Sequence, residues 1–149
     1  MRSTRRRLIA SAFAIAAFAG TALTAAPGFA EEPDRIVVIG GSVTEIVYAL
    51  GQQERLVARD TTSSYPPEAE ALPDVGYMRA LSPEGVLSVE PDLILAEDGA
   101  GPPETIAVLQ EAGIPFETIP SGTDAEGLAT KIRAVAEALG VPDNATDVI

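Results

Sequence analysis

The run Asp92-Leu93-Ile94-Leu95-Ala96 is apolar at successive positions rather than at alternate ones, and no other stretch limits the fold as much. A strand with one wet face alternates, whereas a strand covered on both faces does not. Covered strands of this kind belong to parallel sheets held between two layers of helices. The neighbouring segments supply the partners. Arg35 to Ile39 is a short β-rich run stopped by Gly40-Gly41, Leu56 to Ala58 is a second, and Pro115 to Ile119 a fourth. Between them lie helical patterns. Ser42-Val43-Thr44-Glu45 has the spacing of a capping box, Ser42 accepting from free amides and Glu45 reaching back. Val43, Ile46, Val47 and Leu50 line one face of that helix, and Gly51 ends it. Ser82-Pro83-Glu84 opens a second helix with a cap, a proline in the first turn and an acid toward the dipole. Pro103 to Ala112 and Asp124 to Leu139 are the third and fourth, the last with Ile132, Val135, Ala136 and Leu139 as its buried stripe. The expected fold is α/β, a three-layer lobe around a parallel sheet.

Residues 1–30 are read as an export signal. Arg2, Arg5, Arg6 and Arg7 precede an uncharged, alanine-rich run from Leu8 to Leu23, and Gly28-Phe29-Ala30 forms a small-x-small site ahead of Glu31. Cleavage after Ala30 is expected, with an uncleaved membrane anchor as the competing reading. Thr4-Arg5-Arg6-Arg7-Leu8-Ile9 approaches a twin-arginine signal, so the export route stays open. With no cysteine there is neither a disulfide nor a lipid-anchoring thiol, which suggests the bacterial periplasm. Removing four arginines with the signal takes the formal charge from −12 to −16. Such a surface repels nucleic acid and anionic lipid, and favours basic partners.

In parallel sheets, ligands settle at the carboxyl ends of the strands. Gly40-Gly41-Ser42, the long polar loop from Asp60 through Ala80, and Glu97-Asp98-Gly99 all fall there. The long loop carries Tyr65-Pro66-Pro67 and Asp74-Val75-Gly76-Tyr77-Met78-Arg79. On a chain without histidine or cysteine, a phenolate is the strongest metal ligand available to a compact site, and its hard anionic oxygen suits ferric iron. Arg79 places a cation two positions from Tyr77, which favours ionisation of a phenol whose free pKa is about 10. An ordinary packed tyrosine beside a solvated arginine is the alternative. Met78 is a gap filler or a soft wall. Ser42 is first a helix cap, with a direct ligand role second. Tyr48, inside the first helix, is structural.

Ordered along the chain, Ser42-Val43-Thr44-Glu45, Tyr65-Pro66-Pro67-Glu68-Ala69, Leu72-Pro73-Asp74-Val75-Gly76 and Leu87 to Ala96 resemble the periplasmic substrate-binding proteins of ABC importers for cobalamin, ferric siderophores and haem. Val75-Gly76-Tyr77-Met78-Arg79, with Leu81-Ser82, resembles the haem-binding branch. The resemblance implies a class III periplasmic binding protein whose lobe spans residues 31–141, with the interlobe helix starting at Pro142 and cut short, so that only the N-terminal lobe is represented. It implies that Tyr77 is the axial ligand of ferric haem b and that Arg79 lies within hydrogen-bonding reach. It implies that Tyr65, the nearest rival ligand, shapes the pocket or the loop, and that Glu84 docks on arginines of the inner-membrane permease. It further implies a monomer served by an outer-membrane haem receptor system. A lone lobe is expected to hold haem weakly, because one porphyrin face stays wet.

A cobalamin or siderophore binder of the same group is the nearest alternative, and an exported α/β enzyme is the alternative of another class. The enzyme reading lacks a histidine or cysteine, a G-x-S-x-G turn and a dinucleotide fingerprint.

Overall fold

The computed structural model describes residues 32–149. The expected signal peptide and its cleavage site lie outside the described residues. Strands β1 (Ile36–Ile39), β2 (Leu56–Arg59), β3 (Leu93–Glu97) and β4 (Phe116–Ile119) form one sheet in the order β2-β1-β3-β4. Every pairing is parallel. The helices are α1 (Gly41–Ala49), α2 (Pro83–Leu87), α3 (Pro103–Glu111), α4 (Ala125–Ala138) and the single turn α5 (Ala145–Val148). Short 3₁₀ turns occupy Gln53–Arg55, Pro67–Ala71 and Pro142–Asn144. The span from Pro142 onward is therefore helical, and Ala145 is buried within the core.

The two central strands account for the three layers. All four residues of β1 are buried, as are Leu93 to Ala96 of β3. Successive side chains leave a strand on opposite faces, so each strand feeds two cores. Ile36, Val38, Leu93 and Leu95 meet Val43, Ile46 and Val47 of α1 and Ile132, Val135 and Ala136 of α4. Val37, Ile39, Ile94 and Ala96 meet Val86 of α2 and Leu109 of α3. The edge strands differ. In β4, the last strand in the order, Ile119 is buried, while Phe116 is intermediate and Glu117 and Thr118 are exposed. Pro115, expected in β4, precedes it and contributes its carbonyl to Ile94 N–H at 2.9 Å.

One cap departs from expectation. Ser82 accepts from Gly85 N–H at 3.1 Å and does cap α2. Ser42 does not cap α1. That helix begins one residue earlier, at Gly41, with Gly40 in the cap position and no side-chain cap bond. Gly40 has φ +112°, a conformation open to glycine at little cost. The chain thus turns directly from β1 into the helix, and the Gly40 carbonyl takes the amides of Val43 and Thr44, each at 3.1 Å. Ser42 is left inside the first turn, and Glu45 stands exposed.

Leu95 is fully enclosed between β3 and the α1/α4 layer. Leu95→Ala should cost about 2–5 kcal/mol in urea unfolding, whereas Glu117→Ala on the exposed edge should change stability by less than about 0.5 kcal/mol. Equal, small effects of the two would show that the sheet face is not closed.

Candidate ligand-binding rim

The strand order reverses direction between β1 and β3, since β2 lies to one side of β1 and β4 beyond β3. A crevice at the carboxyl ends is the general consequence. Three groups of side chains build its rim.

The first is centred on Asp60, the residue after β2. Its carboxylate is fully buried, yet its donors are well placed. Oδ1 accepts from Gly40 N–H at 2.9 Å and from the Ser63 hydroxyl at 2.7 Å. Oδ2 accepts from Thr62 N–H at 3.0 Å and from Thr62 Oγ1 at 2.7 Å. Thr44 Oγ1 lies 2.6 Å from Ser63 Oγ, which extends the network into α1. A buried charge is tolerable only when satisfied in this way. The double glycine serves the same close packing. A Cβ on Gly40 would sit 2.7 Å from Glu97 Oε2, and one on Gly41 would sit 2.9 Å from the Thr62 carbonyl oxygen.

The second group joins distant elements. Lys131, the only lysine in the chain, is 4 % exposed. Its ammonium donates to Glu97 Oε1 at 2.5 Å and to Ser42 Oγ at 2.9 Å. Helix α4 is thereby tied to the end of β3 and the start of α1. Ser42, a candidate ligand contact from sequence, has its hydroxyl committed to this lysine. Sequence reasoning missed the cluster. The available signal was a lone lysine adjoining Ile132 and one turn before Val135, on a stripe that should be apolar.

The third group is the Tyr77 loop. Its approach is zipped to the end of β2: Arg59 N–H donates to the Pro73 carbonyl and Val75 N–H to the Arg59 carbonyl, both at 3.0 Å. The Gly76 carbonyl then accepts from Thr61 N–H at 2.9 Å, and the Met78 carbonyl from Gly101 N–H at 2.8 Å. The loop therefore crosses from the end of β2 to the segment that follows β3. Val75 and Leu81 are its buried anchors in the α2/α3 core. Between them Tyr77 is 47 % exposed, Arg79 is exposed and Met78 half-buried. Met78 packs against the α2/α3 core, with its sulfur 4.0 Å from Thr62 Oγ1. Among the described residues, the ion pairs are Arg59–Asp74 and Lys131–Glu97. Arg79 is in neither pair, and both Tyr77 and Arg79 are exposed residues.

The other candidates separate by environment. Tyr65, 62 % exposed, lies in the same post-β2 loop. Tyr48 is half-buried against the α1/α4 core, and burial, with Glu68 and then Glu54 nearby, pushes its phenol above the ordinary value of 10.0. That environment opposes the phenolate a metal would need. Glu84 is exposed in the first turn of α2, behind the Ser82 cap.

Residues 36–149 match the periplasmic binding protein family, and the chain belongs to it. The periplasmic heme-binding protein RhuT from Roseiflexus sp. RS-1 aligns with a TM-score of 0.74 and 42 % identity, over 77 % of this chain and 44 % of its own. The periplasmic heme-binding protein BhuT, solved with two hemes, aligns with a TM-score of 0.73 and 47 % identity, over 76 % of this chain and 44 % of its own. A vitamin B12-binding protein of Vibrio campbellii is 32 % identical over 110 residues, 73 % of this chain and 40 % of that protein. The chain thus spans about two fifths of the curated relatives it matches. Its parallel four-stranded sheet and covering helices are those of a class III periplasmic binding protein.

The Lys131–Glu97 pair gives a test. Lys131→Met leaves the Glu97 carboxylate without its cation and should cost about 3 kcal/mol in urea unfolding. The double variant with Glu97→Gln should lose clearly less than the two single losses combined. Strict additivity would mean that the two groups do not interact.

Proposed function

We propose that the protein captures ferric haem at the carboxyl rim of its sheet, with the Tyr77 phenolate as axial ligand, and presents it to an inner-membrane ABC permease from the periplasm. One observation carries the reading: an exposed phenol sits on a loop whose backbone is bonded on one side to Thr61 and on the other to Gly101. An anionic oxygen donor stabilises Fe(III) over Fe(II). The bound iron lowers the phenol's pKa, and a cation at Arg79 acts in the same direction. Met78 and Tyr65 supply apolar surface beside the ligand. Ser42 takes part through the backbone of the Gly40-Gly41-Ser42 turn, its hydroxyl being held by Lys131. Glu84 offers a solvated carboxylate to permease arginines, a contact weakened by salt. The work is binding and release, with no chemical turnover.

RhuT and BhuT, at 42 % and 47 % identity, lie above the vitamin B12-binding relative at 32 %, which favours haem among the ligands of the group. That same B12-binding relative is the ground for the second reading, a corrinoid ligand.

Ferric haem titrated into the purified protein should give the spectrum of a high-spin phenolate complex. Tyr77→Ala should abolish that spectrum while leaving the urea midpoint unchanged within about 0.5 kcal/mol. Saturable binding of cyanocobalamin, with haem bound equally by parent and variant, would transfer the assignment to the corrinoid.

A further inference from the structure

We infer that Asp74 is the residue that positions Tyr77, an assignment that rests on the haem reading and extends it to a residue three positions before the proposed ligand. Asp74 stands at the junction between sheet and loop. Its Oδ2 accepts from Arg59 Nη1 at 2.9 Å, and its Oδ1 accepts from Thr61 Oγ1 at 3.1 Å and from Gly76 N–H at 2.8 Å. The same Arg59 nitrogen donates to the Asp60 carbonyl at 3.1 Å. One carboxylate therefore connects the last residue of β2 with the amide of the residue immediately before Tyr77.

Gly76 is where direction is decided. Its φ is +108°, and a Cβ placed there would meet nothing within 4 Å. Glycine is needed at this point for backbone conformation and not for space. A residue so free in the unfolded chain has to be held in the native one, and the bond from Gly76 N–H to Asp74 does so on one side while Thr61 N–H to the Gly76 carbonyl does so on the other. The next peptide aims the phenol. Releasing the Asp74 tie frees the 75–76 peptide and leaves Gly76 held by the Thr61 bond alone, so the backbone at Gly76 loosens and the oxygen at the end of the Tyr77 side chain samples positions away from the iron.

The pair contributes direction more than stability. Asp74 is 39 % exposed, and Arg59 Nε is buried without a partner among the described residues, so little net gain is expected from the charge attraction alone. Partners that orient a metal ligand without touching the metal typically change affinity by about 10–100-fold when removed.

The test compares the parent protein with Tyr77→Ala, Asp74→Ala, Asp74→Asn and Arg59→Met in two measurements, ferric haem titration and amide hydrogen exchange of the haem-free chain. Asp74→Ala should raise the haem dissociation constant about tenfold, broaden the phenolate band and speed exchange at Gly76, Tyr77 and Met78, with residues 36–39 unchanged. Asp74→Asn keeps an oxygen for Gly76 N–H and should fall closer to the parent. Arg59→Met frees the same carboxylate from the sheet and should move both readouts in the direction of Asp74→Ala, which keeps the question answerable if that variant folds poorly. If the parent differs from Tyr77→Ala but Asp74→Ala and Arg59→Met match the parent in both measurements, the positioning role is overturned and the haem reading stands. If parent and Tyr77→Ala bind haem alike, the iron-ligand reading falls and takes this inference with it.

Discussion

Asp60 is the point on which the ligand side of this lobe depends. It is a carboxylate with no exposed surface, at the end of a strand, and its two oxygens collect donors from the turn after β1 and from the start of the loop after β2. A charge in that position has no inexpensive alternative arrangement, because any donor that leaves exposes it to an uncompensated interior. The consequence is geometric. The Gly40 turn, the entry to α1 and the 61–64 segment are held as one unit, and the Tyr77 loop is then laid against that unit through Thr61 and Thr62.

Rigidity beneath and exposure above is the useful combination for a binding rim. Val75 and Leu81 are buried in the α2/α3 core and Met78 packs against it, while Tyr77, Arg79 and Ala80 between them are exposed. An exposed tyrosine on a floppy loop would lose most of its binding energy to ordering, whereas one on a pinned loop has less to lose. The Lys131–Glu97–Ser42 cluster does comparable work on the opposite layer, fixing α4 to the ends of β3 and α1. Its net stability gain is small for a buried pair by comparison with an apolar substitute. Its effect is to specify where the helix sits against the rim.

Much of the scaffold was legible because it depends on local pattern. Leu93 to Ala96 announced a doubly covered strand, and the structure buries all four. The stripe Ile132, Val135, Ala136 and Leu139 was readable from helical spacing alone, and it is the buried face of α4. Ser82 was readable as a cap, since Pro83 leaves the chain few other ways to begin a helix there. Ser42 misled for an instructive reason. Its spacing to Glu45 satisfied the capping pattern, but the tight turn at Gly40 started the helix one residue earlier and moved the serine into reach of an ammonium 89 residues away.

Read alone, the chain specifies the layering, the parallel order of short strands and helices, and the gathering of Tyr65, Tyr77 and Arg79 in the loop that follows β2. Those properties follow from periodicity and punctuation, which act between near neighbours. Which polar groups meet is set by the packed fold: Asp60 with Gly40, Lys131 with Glu97, Asp74 with Arg59 and Gly76. Apart from the short Asp74–Gly76 tie, these contacts join residues from different strands, helices and loops. Their partners are selected by how two layers of helices close over one sheet, and no local pattern in the chain encodes that closure.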